Sequence, residues 1–448
     1  MIAKCAAVIA AACLVLPAGA QKVLTPEECR RMALEHNMAI RSADYRIRSA
    51  EEQKKEAFTG FFPQISGAGF TFKSNKDIVS ADINTADLLP EAIASALPQP
   101  MLSLIPPTIP IGLLRDGTLA GLTAVQPVFA GGQIINGNRL AKVGLEASRI
   151  QKEQSENQVA LTAEQYYWQI ATLLEKQKTL AEVGRMLQAL EKEAGVAVQA
   201  GVALRNDLLQ VQLKANETAS HQLKVANALG LCKMVLAQYI GLPDTLYTLA
   251  ADADPRRMPA FPLYLLQSHE EAVKGTPEYR LLQKNAEGTT LQRKLETGKR
   301  LPAVAIGAGY AYNNLMEKDH AFGMLFATVS VPLSDWWGGS HAIRRKQLAE
   351  RNAKELLADG SELLVIRMQK NRNDLEEAYK QLALARKSIE QSSENLRLNT
   401  DFYRAGTVKM SDLLLAQQQY QQANDQYADA FAAYQTKMLE YKQSAGMK

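Results

Sequence analysis

The chain has 448 residues, with 51 basic against 47 acidic side chains and a formal net charge of +4, a balance too even to argue for a nucleic-acid partner. Of its four cysteines, Cys5 and Cys13 precede residue 21, while Cys29 and Cys232 stand far apart, which excludes a disulfide framework. The histidines (His36, His221, His269, His320, His341) show no metal-ligand spacing, Gly67-Ala68-Gly69 lacks the third glycine of a dinucleotide fingerprint, and neither a nucleophile elbow nor a phosphate loop occurs. No residue asks to be catalytic, and no cofactor is expected.

Lys4, the apolar run Cys5 to Leu16 and the small-x-small Ala18-Gly19-Ala20 predict a signal peptide over 1–20, cleaved before Gln21. Cys13 has no leucine three residues before it, which argues against lipidation. No later apolar stretch reaches the ~18 residues of a membrane-spanning helix. If the chain enters a membrane, it does so with strands.

The rest of the chain contains itself twice. Ala200-Gly201-Val202-Ala203-Leu204-Arg205-Asn206-Asp207-Leu208-Leu209 returns 205 residues later as Ala405-Gly406-Thr407-Val408-Lys409-Met410-Ser411-Asp412-Leu413-Leu414. At the same offset Val125-Gln126-Pro127-Val128 returns as Ser330-Val331-Pro332-Leu333, and Gly131-Gly132 and Gly338-Gly339 follow. Pro63 and Gly67-Ala68-Gly69-Phe70-Thr71-Phe72 match Pro302 and Gly307-Ala308-Gly309-Tyr310-Ala311-Tyr312. Two tandem α-β-β-α-α repeats are expected, over 21–250 and 251–448.

Each repeat opens with a helix and then two strands. Val304 to Tyr312 alternates large and small residues with the period of a strand. Phe322 to Leu333 is its partner, and Ile65 to Phe72 and Thr118 to Val128 are the counterparts. The aromatics Phe70, Phe72, Tyr310, Tyr312, Trp336 and Trp337 fit girdles at a membrane interface. Pro63 and Pro302 precede the first strands while Pro127 and Pro332 lie near the ends of the second, so the four mark strand–helix junctions. Four strands cannot close a lipid-facing barrel, and open edges do not survive in hydrocarbon. A barrel must therefore be shared by two, three or four copies. Between Phe72 and Thr118 lie 45 residues, against nine between Tyr312 and Phe322. This longer segment, 73–117, is apolar and proline-rich (Leu97-Pro98-Gln99-Pro100, Ile105 to Ile111) and is expected as an outside loop.

Long helices follow the strands. No proline interrupts Asn138 to Gln199 or Ala342 to Arg404, and a helix of about 60 residues reaches roughly 90 Å. Leu375, Ala378, Leu382, Ala385, Ile389, Ser392, Leu396, Asn399 and Tyr403 keep a heptad spacing. After the turn it continues through Leu413, Ala416, Tyr420, Ala423, Tyr427, Ala430, Tyr434, Lys437 and Tyr441. Ile170, Leu173, Leu180, Leu187, Ala194 and Val198 form a looser version. Such a repeat implies left-handed coiled-coil packing. Gly201 and Gly406 sit where a helix stops at positive φ. Asn206 and Ser411 are expected N-caps, with Asp207 and Asp412 at the positive helix ends.

With the repeat, the prolines and the paired glycine tips, nearly the whole mature chain resembles the TolC-type outer-membrane efflux proteins of Gram-negative envelopes. The resemblance implies a mostly α fold with membrane β: a homotrimeric 12-stranded outer-membrane barrel that continues into a periplasmic α-helical coiled-coil barrel. It implies a passive exit duct for drugs or other small molecules, docked on a periplasmic adaptor (membrane-fusion) protein and an inner-membrane RND or ABC transporter. The family's adaptor-docking tips fall on Ala200, Gly201, Val202, Ala405, Gly406 and Thr407. Its periplasmic gate falls on Asp207, Tyr403 and Asp412. Val408 replaces the arginine found two residues after the second tip glycine, with Lys409 next door, and Leu415 replaces the second acid of the aperture. A lock drawing on Arg205, Arg404 or Lys409 is therefore expected. A type I protein-secretion duct shares this architecture, whereas a periplasmic coiled-coil scaffold would need the helices but not the strands.

Overall fold

A computed structural model describes residues 22–84, 106, 108–113, 115–250, 258–262, 268–315, 319–333 and 335–447. The expected signal peptide and Leu97 to Pro100 lie outside them. In chain order the first half comprises β1 (Lys22–Leu24), α1 (Pro26–His36), α2 (Met38–Thr59), β2 (Gln64–Lys73), β3 (Val79–Asn84), β4 (Thr108–Leu113), β5 (Asp116–Ala130), α3 (Gln133–Gln199) and α4 (Arg205–Ile240). The second half has β6 (Tyr247–Leu249), α5 (His269–Ala272), α6 (Pro277–Gly298), β7 (Ala303–Asn314), β8 (Asp319–Ser330), α7 (Asp335–Arg404) and α8 (Met410–Ser444). The chain packs as two units. One is built from the segments ending at Ser49, Leu145–Ala286 and Ala353 onward, the other from Ala50–Gly144 and Glu287–Asn352. Each unit holds parts of both sequence halves.

The first unit is helical. Thr25 starts α1 with a reciprocal cap: its hydroxyl accepts from Glu28 N–H at 3.1 Å, and the Glu28 carboxylate accepts from Thr25 N–H at 3.0 Å. β1 and β6 pair in parallel, Lys22 opposite Tyr247. Strands of three residues carry too little pattern to read from sequence, and this pair was not anticipated. The heptad positions behave as a seam. Leu375, Leu382, Leu413, Ala416, Ala423, Tyr427, Tyr434 and Tyr441 are buried, and the intervening seam residues are half-buried. Lys437, the charged seam position, is bonded by Glu440 at 2.8 Å and lies 3.5 Å from Asp374.

His269 is buried beside Tyr441, its Nε2 3.4 Å from the phenol oxygen. Burial, reinforced by the Arg372 charge and opposed by Glu270, holds its pKa below the ordinary histidine value. A depressed pKa contributes stability above the ordinary value of about 6.5 that is lost as the pH falls. The drop in melting temperature between pH 7 and pH 5 is therefore expected to shrink in His269→Gln. An equal drop in both proteins would remove His269 from the account.

The second unit carries an antiparallel sheet in the order β2-β5-β7-β8. Pro63 and Pro302 immediately precede β2 and β7, and Pro332 follows β8. Pro127 sits inside β5 next to a register shift between Pro127 and Phe129, where a missing N–H is tolerated. At the β5–α3 turn Gly131 and Gly132 adopt φ of 60° and 76°. Gly338 and Gly339, expected as their equivalents, are instead within α7.

Three expectations need correction. Tyr310 lies opposite Leu122, which lies opposite Gly67, whereas Phe70 lies opposite Leu119 and through it Asn313. The Phe70/Phe72 and Tyr310/Tyr312 pairs therefore occupy opposite faces, because β2 and β7 align by their prolines and not by their glycines. The segment 73–117 is not all loop: β3 and β4 pair as an antiparallel two-stranded ribbon, Val79 opposite Leu113. The N-caps are Leu204 and Lys409, each extended, and not Asn206 and Ser411.

Candidate functional site: the helical tips

Both hairpin tips use one local solution. At the first, Gly201 at φ 75° donates its N–H to Val198 C=O at 3.1 Å, and Val202 N–H reaches Ala197 C=O at 2.9 Å. At the second, Gly406 at φ 73° donates to Tyr403 C=O at 2.9 Å and Thr407 to Phe402 C=O at 2.9 Å. Two hydrogen bonds thus satisfy two of the four orphan carbonyls at the end of each long helix, a geometry that needs glycine at the left-handed position. Ala200, Gly201, Val202, Ala405, Gly406 and Thr407 are all exposed. The first tip is the more apolar: Val202 is 79% and Leu204 71% exposed.

Beneath the tips, Val183, Leu187, Leu190 and Ala194 of α3, Val211 of α4, and Met410 and Leu413 of α8 form a buried cluster, against which Tyr403 packs. The cluster couples the two hairpins. Asp207 lies in the first turn of α4 and is half-buried. The Tyr403 phenol is pushed above its ordinary pKa, first by burial and then by the charges of Asp207 and Glu193, so it stays protonated and able to donate at neutral pH. Arg404 reaches Glu193 at 3.6 Å, with both side chains more than half exposed, a pair worth at most about 1 kcal/mol. Asp412 serves its own helix: its carboxylate accepts from Lys409 N–H at 3.3 Å and lies 3.4 Å from the Ser411 hydroxyl. The fold therefore brings Asp207 to Tyr403, and Asp412 to Lys409. Among the described residues no hydrogen bond or ion pair joins the two sets. Asp207 has no ion-pair partner among them either.

Sequence reasoning missed Glu193 and Gln417. Nothing separates Glu193 from other surface glutamates of α3. Gln417 did carry a signal, being a polar residue one place past the seam position Ala416. It is 1% exposed, and neither amide atom has a hydrogen-bond partner among the described residues. It borders a cavity of about 70 Å³ lined with Leu187, Leu190, Tyr403, Leu413 and Leu414. A buried unpaired amide costs roughly 1–3 kcal/mol, so Gln417→Met, close in shape, is expected to raise the melting temperature. A lower one would mean that the amide is satisfied in solution.

Among the described residues no cluster of three or more His, Cys, Asp or Glu could hold a metal, and no helix is long and apolar enough to cross a membrane.

No protein-family model and no curated protein matches the chain. Solved structures match it over almost its whole length. The outer membrane protein VceC of Vibrio cholerae superposes with a TM-score of 0.71 at 14% identity, over 94% of this chain and 96% of that one. The CmeC outer membrane channel of Campylobacter jejuni gives 0.75 at 13% identity, over 94% and 85%. The open state of the MtrE outer membrane channel of Neisseria gonorrhoeae gives 0.71 at 14%, over 94% and 89%. At such identities the likeness defines the fold and nothing finer. The chain has the TolC-type fold of outer-membrane channels.

Proposed function

We propose that the protein is the outer-membrane duct of a tripartite efflux assembly, a passive exit for drugs or other small molecules. Three copies would pool their sheets into one 12-stranded barrel that continues through the periplasm as an α-helical barrel. Pro63, Pro127, Pro302 and Pro332 then mark the border between strands and helices. The exposed tips at Ala200-Gly201-Val202 and Ala405-Gly406-Thr407 are the docking points for a periplasmic adaptor, and an RND or ABC transporter of the inner membrane supplies the energy.

The observation that carries this reading is the open sheet. Among the described residues β2 and β8 each have one strand partner, and a chain of this fold that met lipid with two bare edges would leave a row of unsatisfied N–H and C=O groups on each. Identical copies remove both edges at once. The gate is assigned to Asp207, Tyr403, Lys409 and Asp412. Exposed polar contacts there contribute little individually, so closed and open tips differ by a few kcal/mol and docking can shift their populations. The test is extraction in detergent, light scattering and planar-bilayer recording. A trimer that conducts is expected. A single-copy protein that needs no detergent and passes no current would refute the proposal.

A further inference from the structure

The cavity beneath the tips lies where three helices meet: Leu187, Leu190 and Glu193 of α3, Tyr403 of α7, and Leu414 and Gln417 of α8 line it. Its wall is mostly aliphatic, and Gln417 is the exception. That side chain is buried, and its Oε1 and Nε2 both lack hydrogen-bond partners among the described residues. A primary amide presents an acceptor and a donor side by side. Left unmet in the interior, the pair is a standing cost that an occupant of the cavity would remove. Glu193 and Arg404, both more than half exposed and 3.6 Å apart, stand at its rim. The cavity therefore meets solvent past one weak ion pair, and an occupant can enter without unfolding either hairpin.

Volume and chemistry limit the occupant. A water takes about 30 Å³ and a cavity of roughly 150 Å³ holds benzene, so about 70 Å³ takes two waters or one molecule of roughly four heavy atoms. A buried water needs two to four polar partners, and beside Leu187, Leu190, Leu413 and Leu414 a second water finds only the first. A carboxylate of that size is ionised at neutral pH, has no donor for Oε1 and would bury its charge among leucines. A primary amide matches: its C=O accepts from Nε2, its N–H donates to Oε1, and its methyl group meets the leucines. We infer that the cavity is a binding site for a neutral primary amide of one or two carbons, held edge to edge on Gln417. Such a molecule touches α3, α7 and α8 at once, so its binding ties the two hairpins together in their present arrangement. The site rests on the fold alone, whereas its effect on a channel rests on the proposed duct.

Acetamide is the probe. A ligand of four heavy atoms binds weakly, roughly in the millimolar range, so binding is read by ligand-observed saturation-transfer NMR on the detergent-extracted protein. Saturating the leucine methyl protons is expected to transfer signal to the acetamide methyl, and the transfer should level off as acetamide is raised. Acetone has the same shape but no N–H, and should bind roughly tenfold more weakly for want of one buried hydrogen bond. Acetate at pH 7 should give no saturable transfer. Gln417→Met, expected to be the more stable protein, should lose the acetamide signal. Ala189→Leu, which narrows the cavity from an exposed position on its lining and leaves Gln417 in place, should weaken it. Transfer that never saturates, acetone binding as well as acetamide, or an undiminished signal in Gln417→Met would each overturn the site. In planar bilayers, acetamide should make transitions between conductance levels rarer in the wild type and not in Gln417→Met. Unchanged transitions at saturating acetamide would overturn the tie between the hairpins. A protein that binds acetamide and passes no current would overturn the duct and leave the site standing.

Discussion

Alanine at Gly131 is expected to be among the most damaging single methyl groups this chain could receive, costing more than about 3 kcal/mol and sharply reducing the yield of folded protein. Two independent penalties meet there. Gly131 has φ 60°, a left-handed conformation that costs a residue with a Cβ roughly 1–2 kcal/mol. The added carbon would also lie 2.1 Å from the Gly298 carbonyl oxygen, and a Cβ on Gly298 would in turn meet the Gly131 carbonyl at 2.5 Å. Both obstacles are backbone, so neither yields by a rotamer change. The turn that launches α3 from β5 and the end of α6 would have to separate. Gly132→Ala is the comparison: its φ is 76°, but its nearest neighbour is the Asn136 side-chain nitrogen at 3.4 Å. That variant should show the conformational penalty alone. Thermal unfolding in detergent would decide; equal melting temperatures for the two variants would show that the backbones part without cost.

Asp207→Ala is expected to raise single-channel conductance, and to account for most of the rise seen when Asp412 is replaced as well. Asp207 is half-buried, has no ion-pair partner among the described residues and acts on the Tyr403 phenol. In the proposed assembly its charge would therefore be available to a neighbouring copy at a closed aperture. Asp412 is committed to the Lys409 N–H at the start of α8, so Asp412→Ala should chiefly cost the roughly 0.5–2 kcal/mol of a helix cap. The double variant separates these roles: gating appears as conductance, capping as a lower melting temperature. Conductance unchanged in Asp207→Ala would remove that residue from the gate.

Much of the fold was legible because it is encoded locally. The heptad rhythm from Leu375 to Tyr441 announced a seam, and none of its positions is exposed. Glycine at 201 and 406 announced left-handed helix stops, since no other residue adopts that conformation without penalty. The proline positions bounded the strands to within a few residues. The tips were thus found, but their internal arrangement was not. Asn206 and Ser411 have the chemistry of caps, yet each helix begins earlier, at Arg205 and Met410. Backbone carbonyls of Leu204 and Lys409 already engage the amides of Asp207 and Asp412 at 3.0 and 3.1 Å.

Apart from the short pairs β1–β6 and β3–β4, which it did not show, the amino-acid order alone determined the long helices, where they turn, the four strands beside the prolines, and that four such strands are too few to enclose anything. These follow from spacing, proline and glycine, whose effects act over a few residues. Only the tertiary structure decided which residues share a sheet face, that Gly131 meets Gly298, that Tyr403 answers to Asp207 and Glu193, and that Gln417 is buried beside a cavity. Each of these depends on register between distant segments. A displacement of one residue there leaves every local preference intact while reversing what the side chain touches.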